Sequence, residues 1–198
     1  MKRANIPHPG PPSKALIDVV DELTSLSQYP VLDAGCGFGR NALALASRGL
    51  SVVCADRNRD GLNSLIRPPS INNSLRQFEC EKGRLFPVLT NLKHSQWPFS
   101  QNCFGAIICV HFLEFDLFDA FHSSLVLSGH LYIETFGGHG GNYLDLPKAG
   151  QLRDLLSRHF RLAFYRERAV GPPGCGAVSV KQYLFHDTKI SFRQDLVL

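Results

Sequence analysis

Three glycines, Gly35, Gly37 and Gly39, follow a short apolar run that contains Asp33. Because glycine has no Cβ, it lets a backbone turn sharply or approach a ligand closely. A helical pattern begins at once after the glycines, so the free N–H groups at the helix start would face the same ligand. Asp56 ends a second apolar run about 20 residues after Gly35, a spacing at which an acid accepts hydrogen bonds from ribose hydroxyls. The pattern indicates a site for a nucleoside-containing cofactor on a parallel sheet.

The order of residues in this loop distinguishes two kinds of cofactor. Loops that bind dinucleotides have the pattern G-x-G-x-x-G and hold a pyrophosphate at the helix start. Here the pattern is D-x-G-x-G-x-G, and a carboxylate so close to a pyrophosphate would repel it. A cationic amino-acid group would be attracted instead, and S-adenosylmethionine (SAM) carries an ammonium, a sulfonium and no phosphate. The loop favours SAM, with another nucleoside ligand or a turn without a ligand as the alternatives.

The composition is typical of one globular domain. The chain has 198 residues, of which 44% are hydrophobic and 19% charged, which is enough for a substantial core. We expect a flexible N-terminal arm over residues 1–12 and a single domain over residues 13–198. No apolar stretch reaches the roughly 18 residues of a transmembrane helix, and the first residues lack the apolar core of a signal peptide. We therefore expect a cytoplasmic protein with no membrane partner.

Charge and metal-binding side chains argue against other classes. The formal net charge is +4 and the basic residues are scattered, whereas nucleic-acid enzymes more often concentrate them in a stripe. The 6 cysteines include no C-x-x-C pair, and the 8 histidines have no spacing typical of metal ligands. We expect no nucleic-acid partner, no metal site and no disulfides. The oligomeric state is left open.

Alternating apolar runs and amphipathic segments predict an α/β fold. Continuous apolar runs such as 104–110 suit strands that are covered on both faces, as in parallel sheets. The last two strands are joined by residues 171–176, a connection too short for a parallel crossover, so they should form an antiparallel hairpin. We predict a doubly wound, seven-stranded, mostly parallel sheet that ends in this hairpin, with 67–84 as a loop or short extra helix. The predicted helices are 13–26 (N-cap Ser13), 38–48, 59–66, 116–127 and 148–158, and the predicted strands are 29–34, 51–55, 85–90, 104–110, 130–136, 161–170 and 177–185.

This order of elements, with the glycine loop, resembles the Rossmann-like fold of the class I SAM-dependent methyltransferases over residues 13–186. The segment 37–46, GFGRNALALA, resembles in particular the tellurite-resistance and thiopurine-type branch, whose members methylate soft or small acceptors. Residues 67–84 do not match that branch. The resemblance implies an enzyme that uses SAM and moves a methyl group to a small-molecule acceptor by in-line displacement. Such a reaction needs little from the protein beyond alignment, so the lack of a catalytic dyad does not argue against an enzyme.

The resemblance also implies a set of cofactor-binding residues. The glycine loop would pack against the methionine part of SAM, and Asp33 would reach the ammonium or only order the loop. Asp56 would hold the ribose, while Arg57 either stacks on the adenine or is solvated. Asn91 stands where the family commonly has an Asp that bonds the adenine amino group, and an Asn that forms a turn is the alternative. The full expected set is Asp33, Gly35, Cys36, Gly37, Gly39, Asp56, Arg57, Asn91, Leu92 and Val110.

The acceptor side is less specific. His111 follows the fourth strand and is the candidate catalytic residue, either as a base or as a group that orients the acceptor; a His that contacts only the cofactor is the alternative. The Asn/Asp-Pro-Pro-Tyr/Phe motif of amino methyltransferases is missing there, which disfavours base N-methylation. A second glycine-rich stretch, 136–143, reads as a lid or as a plain connection. Glu134 either reaches the pocket or pairs locally. The expected substrate-binding residues are Phe112, Phe115, His139, Asn142 and Tyr143, with ordinary core residues as the alternative for the two phenylalanines.

Two other functions are compatible with the same fold. The acceptor could be a protein or an RNA, which predicts a basic patch near His111 and Tyr143. The chain could also be a noncatalytic domain that binds SAM. A nicotinamide oxidoreductase is disfavoured by the loop pattern.

Overall fold

The structure is a computed structural model, and it describes residues 9–24, 26–66, 83–93, 96–138, 147–169 and 177–186. Helices and strands alternate along most of these residues. The helices are α1 (Lys14–Asp18), α2 (Val20–Thr24), α3 (Arg40–Ala46), α4 (Arg59–Ile66), α5 (Phe118–Ser124) and α6 (Gln151–Leu156). The strands are β1 (Val31–Ala34), β2 (Val52–Asp56), β3 (Leu85–Leu89), β4 (Phe104–Val110), β5 (Leu125–Gly138), β6 (Phe160–Ala169) and β7 (Ala177–His186).

Within the described residues, the strands form one sheet in the order β3-β2-β1-β4-β5-β7-β6. The first five strands in this order, β3, β2, β1, β4 and β5, are parallel to one another. β7 lies antiparallel between β5 and β6, which confirms the predicted hairpin. Strand order reverses at β1, whose neighbours are β2 and β4, so the carboxyl ends of β1 and β4 form the crevice where ligands bind in such sheets.

The central strands are buried on both faces. Every residue of β1 and of β4 is buried, as their continuous apolar sequences predict. One face packs on α1, α2 and α3 through side chains such as Leu16, Leu23 and Leu45. The other face packs on α5 and α6 through side chains such as Phe121 and Leu156. The two layers hold the carboxyl ends of the strands in fixed positions around the crevice.

Several boundaries differ from the prediction. The first predicted helix is two short helices, α1 and α2, separated at Val19. The helix predicted over 116–127 is a 3-10 turn, Phe115–Leu117, followed by α5, which ends at Ser124. Leu125 leaves the helix because it pairs with Phe104 in the ladder between β4 and β5, after which the register shifts. The prediction of a helix over residues 125–127 is therefore wrong, because pairing with the neighbouring strand β4 outweighs the helical pattern of the sequence.

No helix in the described ranges is long and apolar enough to cross a membrane. The same ranges hold no group of three or more His, Cys, Asp or Glu side chains that could bind a metal ion.

Candidate functional site

The glycine loop between β1 and α3 has the backbone conformation that its sequence predicts. Gly35, Gly37 and Gly39 have φ of 72°, 56° and 77°, in the left-handed region that other residues rarely adopt. A Cβ on Gly35 would lie 2.5 Å from Cγ of Phe112, and one on Gly39 would lie 2.4 Å from Cδ2 of Leu65. Gly35 is therefore required for space as well as for backbone conformation, whereas at Gly39 the end of the Leu65 side chain could move aside.

Asp56 ties the loop to the end of β2. Its Oδ2 accepts a hydrogen bond from the backbone N–H of Gly37 at 2.7 Å, and its Oδ1 accepts one from the backbone N–H of Asn58 at 2.7 Å. Each carboxylate oxygen has a second lone pair, so both can also accept from hydroxyl groups of a ligand. The residue predicted to hold a ribose therefore faces the loop that it would serve.

Asp33 is the most unusual polar group behind the loop. It is 1% exposed, and its Oδ2 has no hydrogen-bond partner among the described residues. The pKa of Asp33 is raised to about 7, mainly by burial; a hydrogen bond from the backbone of Ala42 and the charge of Arg40 lower it, and the charge of Asp56 adds to the rise. A buried carboxylate without a partner is costly, and a cation placed beside it would remove that cost.

A cavity of about 220 Å³ opens at the carboxyl ends of the strands next to this loop. Seven predicted residues line it: Gly35, Asp56, Arg57, Asn91, Leu92, His111 and Phe112. Three others that line it were missed: Ala55, Thr90 and Lys93. A signal for them existed, because each adjoins a predicted residue at the end of β2 or β3.

Other predicted residues have different positions. Cys36 and Val110 are 7% exposed and belong to the hydrophobic core next to the loop. A hydrogen bond with Cys54, together with burial, raises the pKa of the Cys36 thiol. Phe115 begins the 3-10 turn and packs against the opposite core layer. His139, Asn142 and Tyr143 lie outside the described residues, as does most of 67–84.

The loop after β3 combines a turn with an ion pair. The Oδ1 of Asn91 accepts a hydrogen bond from the backbone N–H of Lys93 at 3.3 Å, a contact typical of a turn-forming Asn. Leu92 is 5% exposed and packs into the core. The ammonium of Lys93 pairs with the carboxylate of Glu114. Asn91 thus forms the turn, and its side-chain NH₂ group is the part suited to a ligand.

His111 and Phe112 follow β4 and close the cavity on one side. His111 has φ of 58°, and its backbone N–H donates to the carbonyl oxygen of Glu134 at 2.8 Å. Its ring stacks on that of Phe136, with centroids 4.8 Å apart and planes 11° apart. Phe112 lies directly over Gly35. Of the two residues, Phe112 is therefore next to the glycine loop, and His111 faces the end of β5.

Glu134 is part of a local hydrogen-bond network, which was one of the two alternatives that the sequence left open for it. Its Oε2 accepts hydrogen bonds from the hydroxyl of Tyr132, at 2.9 Å, and from Oγ of Ser13. Ser13 also accepts a hydrogen bond from the backbone N–H of Leu16 at 3.3 Å, which confirms it as the N-cap of α1. Ser13, Tyr132 and Glu134 are all buried. The network joins the start of the domain to β5 beside the cavity.

Comparison with known proteins agrees with this geometry. Residues 13–81 match the family model described as tellurite resistance protein TehB. A search of curated protein sequences finds no match. The 1,6-didemethyltoxoflavin-N1-methyltransferase of Burkholderia thailandensis, solved with 1,6-didemethyltoxoflavin and S-adenosylhomocysteine (SAH), is 20% identical; the alignment covers 88% of this chain and 79% of that one, with a TM-score of 0.55.

Two further solved structures have the same fold. The magnesium protoporphyrin IX methyltransferase of Synechocystis, solved with SAM, is 15% identical, with a TM-score of 0.59 over 88% of this chain and 79% of that one. The [4+2]-cyclase SpnF is 15% identical, with a TM-score of 0.61 over 86% of this chain and 80% of that one.

The fold is therefore that of the class I SAM-dependent methyltransferases, as predicted. Within that class, the family match confirms the resemblance to the tellurite-resistance branch for residues 13–81, which include the glycine loop and Asp56. The match also includes residues 67–81, so the expectation that this segment does not match the branch was wrong there. The enzyme class and the cofactor that the sequence predicted, a methyltransferase and SAM, are those of this family and of the two methyltransferase structures.

Proposed function

We propose that this protein transfers a methyl group from SAM to a small-molecule acceptor. The observation that carries the proposal is the pair of acids at the strand-order reversal. Asp33 is buried without a partner for one oxygen, and Asp56 lies at the end of the neighbouring strand and lines the cavity. Such a pair suits a ligand that has a cationic head group and ribose hydroxyls and lacks phosphates.

Each cofactor-binding residue has a role in this proposal. Asp33 pairs with the ammonium of SAM, and the glycine loop lies along its methionine part. Asp56 accepts hydrogen bonds from the ribose hydroxyls, each worth about 1.5–3 kcal/mol for a charged acceptor. Arg57, Asn91 and Leu92 surround the adenine. Cys36 and Val110 support the loop from the core.

The residues of the acceptor side align the reaction. When bound, SAM supplies an activated methyl group for in-line displacement. Holding the acceptor in line can contribute up to about 7–11 kcal/mol in model systems. A neutral acceptor loses its proton on methylation, and a ring nitrogen of His111, Nδ1 or Nε2, would accept that proton. An acceptor that is already an anion needs no base. Phe112, Phe115, His139, Asn142 and Tyr143 complete the proposed acceptor side.

A small molecule is favoured over a polymer as the acceptor. The two methyltransferases of the same fold are named for small molecules, a toxoflavin precursor and a porphyrin. A protein or RNA acceptor, or a noncatalytic SAM-binding domain, are the alternatives. The cyclase SpnF has the same fold and another reaction, so catalysis has to be measured. We propose a single domain over 13–198 and action in the cytoplasm.

The test is calorimetric titration with SAM and SAH, with NADH as the control ligand. We expect micromolar binding of SAM and SAH and none of NADH. Asp56→Ala should weaken SAM binding about tenfold to a hundredfold, because it removes a charged acceptor of the ribose hydroxyls. Asp60→Ala is the matched control, since Asp60 is an exposed acid in the first turn of α4 and should leave affinity unchanged. Folded protein that binds neither SAM nor SAH would contradict the proposal.

A further inference from the structure

Phe136 begins a row of residues that leads from the candidate site to the far edge of the sheet. It stacks on His111 and is 47% exposed. Its Cα pairs with that of Ser179 on β7, and Ser179 pairs in turn with Arg168 on β6. Since neighbouring strands lie about 4.8 Å apart, Arg168 is roughly 10 Å from Phe136 along this row.

The adjacent row carries a second arginine. Glu134 on β5 pairs with Lys181 on β7, and Lys181 pairs with Arg166 on β6. This row therefore contains a lysine as well as an arginine. Arg166 and Arg168 are two positions apart on one strand, so they lie on the same face. Glu167, between them, lies on the opposite face, where its Oε1 accepts a hydrogen bond from the backbone N–H of Gly150 at 3.0 Å.

The two arginines present their charge to solvent. Both are exposed, and neither has an ion pair within the part of the chain that the structure describes. Glu134, the acid in the row of Arg166, is 8% exposed and accepts hydrogen bonds from Ser13 and Tyr132. Its carboxylate is therefore occupied elsewhere, and the two positive charges are not neutralised by it.

We propose that the methyl acceptor is a flat molecule that carries an anionic group. This inference rests on the proposed function and adds the chemical class of its substrate. The ring of the acceptor lies against the Phe136–His111 pair, since aromatic rings favour offset or edge contacts with one another. Its anionic group is held by Arg166 and Arg168, because a guanidinium binds a carboxylate through two parallel hydrogen bonds.

Two cations that line the cavity, Arg57 and Lys93, are less suited to this role. Lys93 is paired with Glu114. Arg57 follows β2, which is separated from β5 by β1 and β4 in the sheet, so it lies on the cofactor side of the crevice. Arg166 and Arg168 are on the side of the sheet where His111 and Phe136 meet.

The experiment compares two thiol probes that differ only in charge, 4-mercaptobenzoate and its methyl ester. Binding to the protein saturated with SAH is measured by calorimetry, and methylation with SAM by thioether formation. We expect the acid to bind about tenfold more tightly than the ester, which corresponds to one good ionic contact. The double variant Arg166→Gln/Arg168→Gln should lose this preference and raise KM for the acid, with little change for the ester or in SAM affinity.

Arg161→Gln is the matched control. Arg161 is also exposed on β6. The register shift between Leu162 and Phe164 inserts one extra residue, so Arg161 lies on the same face of the strand as Phe164, Arg166 and Arg168. It lies at the opposite end of the strand, in the row of His130, and the variant should keep the preference for the acid.

Several results would overturn the inference. The ester could bind as tightly as the acid, neither probe could bind, or Arg161→Gln could reduce the preference as much as the double variant. Salt-dependent binding of a short RNA through the same arginines, without competition from 4-mercaptobenzoate, would indicate a polymer acceptor instead of a small anionic one. Failure of SAM itself to bind is a separate result, and it would count against the proposed function.

Discussion

Asp33 combines two properties that conflict in a folded protein: it is an acid, and it is buried with one oxygen unpartnered. Desolvation disfavours its charged form, which is why its pKa is raised to about 7. A cation beside it favours that charged form. The affinity for SAM should therefore depend on the protonation state of this single residue, and so on pH.

We predict that SAM binds more weakly at pH 6 than at pH 8. Below a pKa of about 7, Asp33 is mostly protonated and offers no charge to the ammonium. One pH unit below that pKa, about nine-tenths of Asp33 is neutral, so affinity should fall by up to about tenfold. Calorimetric titration at a series of pH values measures this change.

Asp33→Asn is the control for that pH dependence, because it keeps the shape and removes the titration. Its SAM affinity should be low and flat with pH; a slope as steep as in the wild type would assign the titration to another group. The free energy of unfolding supplies a second readout. Because the folded-state pKa exceeds the ordinary value of 3.8, the wild type should lose stability as pH rises from about 4 to 7, and Asp33→Asn should not.

At the scale of elements, α4 is held against the glycine loop by a glycine of its own. A Cβ on Gly61 would lie 2.3 Å from the carbonyl oxygen of Gly37, so the helix can approach the loop only without a side chain there. Sequence analysis did not single out Gly61, because a glycine within a helix has no local signature of its packing.

We predict that Gly61→Ala destabilises the protein and weakens SAM binding. In an exposed helix the change would stabilise by about 1 kcal/mol, but here the overlap with backbone forces α4 and the loop apart. Denaturant unfolding and SAM titration measure the two effects. Asn63→Ala, at an exposed position of the same helix, should be neutral or slightly stabilising. A stabilised Gly61→Ala variant would show that α4 does not constrain the loop.

The ends of helices and strands also depend on contacts between residues that are distant in the sequence. Helix α5 stops where Leu125 pairs with Phe104, although Phe118, Phe121 and Leu125 repeat with helical spacing. The strand cores were predictable because buried parallel strands have continuous apolar sequences. Their ends depended on partners far along the chain.

At the scale of the whole molecule, Ser13 joins the first helix to β5. Its backbone N–H donates to Oδ1 of Asn41 at 2.9 Å, and its hydroxyl donates to Glu134. The contact links residues 121 positions apart, so it connects the start of the domain to the second half of the sheet beside the cavity.

We predict that Ser13→Ala lowers the free energy of unfolding by about 1–3 kcal/mol. It removes an N-cap, which costs about 0.5–2 kcal/mol, and it takes one donor from a buried carboxylate. Urea unfolding measures the change. Ser47→Ala is the control, because the Ser47 hydroxyl is exposed and bonds only locally, to the carbonyl oxygen of Ala44; it should change stability by less than about 0.5 kcal/mol. Equal effects of the two variants would contradict a special role for Ser13.

Features that are local in the chain could be predicted from the amino-acid sequence alone. The loop from Gly35 to Gly39 needs left-handed backbone, which glycine adopts readily, and Asp56 follows at the spacing of a ribose-binding acid. Both the cofactor class and the sheet type could be predicted from these residues because the signals lie within one strand–helix–strand unit.

Only the tertiary structure decided which distant residues meet. It placed Phe112 over Gly35, turned Glu134 toward Ser13, and brought Arg168 into the row of Phe136. These contacts depend on strand register and on the order of strands in the sheet. Register depends on how whole faces pack, so no short segment of sequence could specify it.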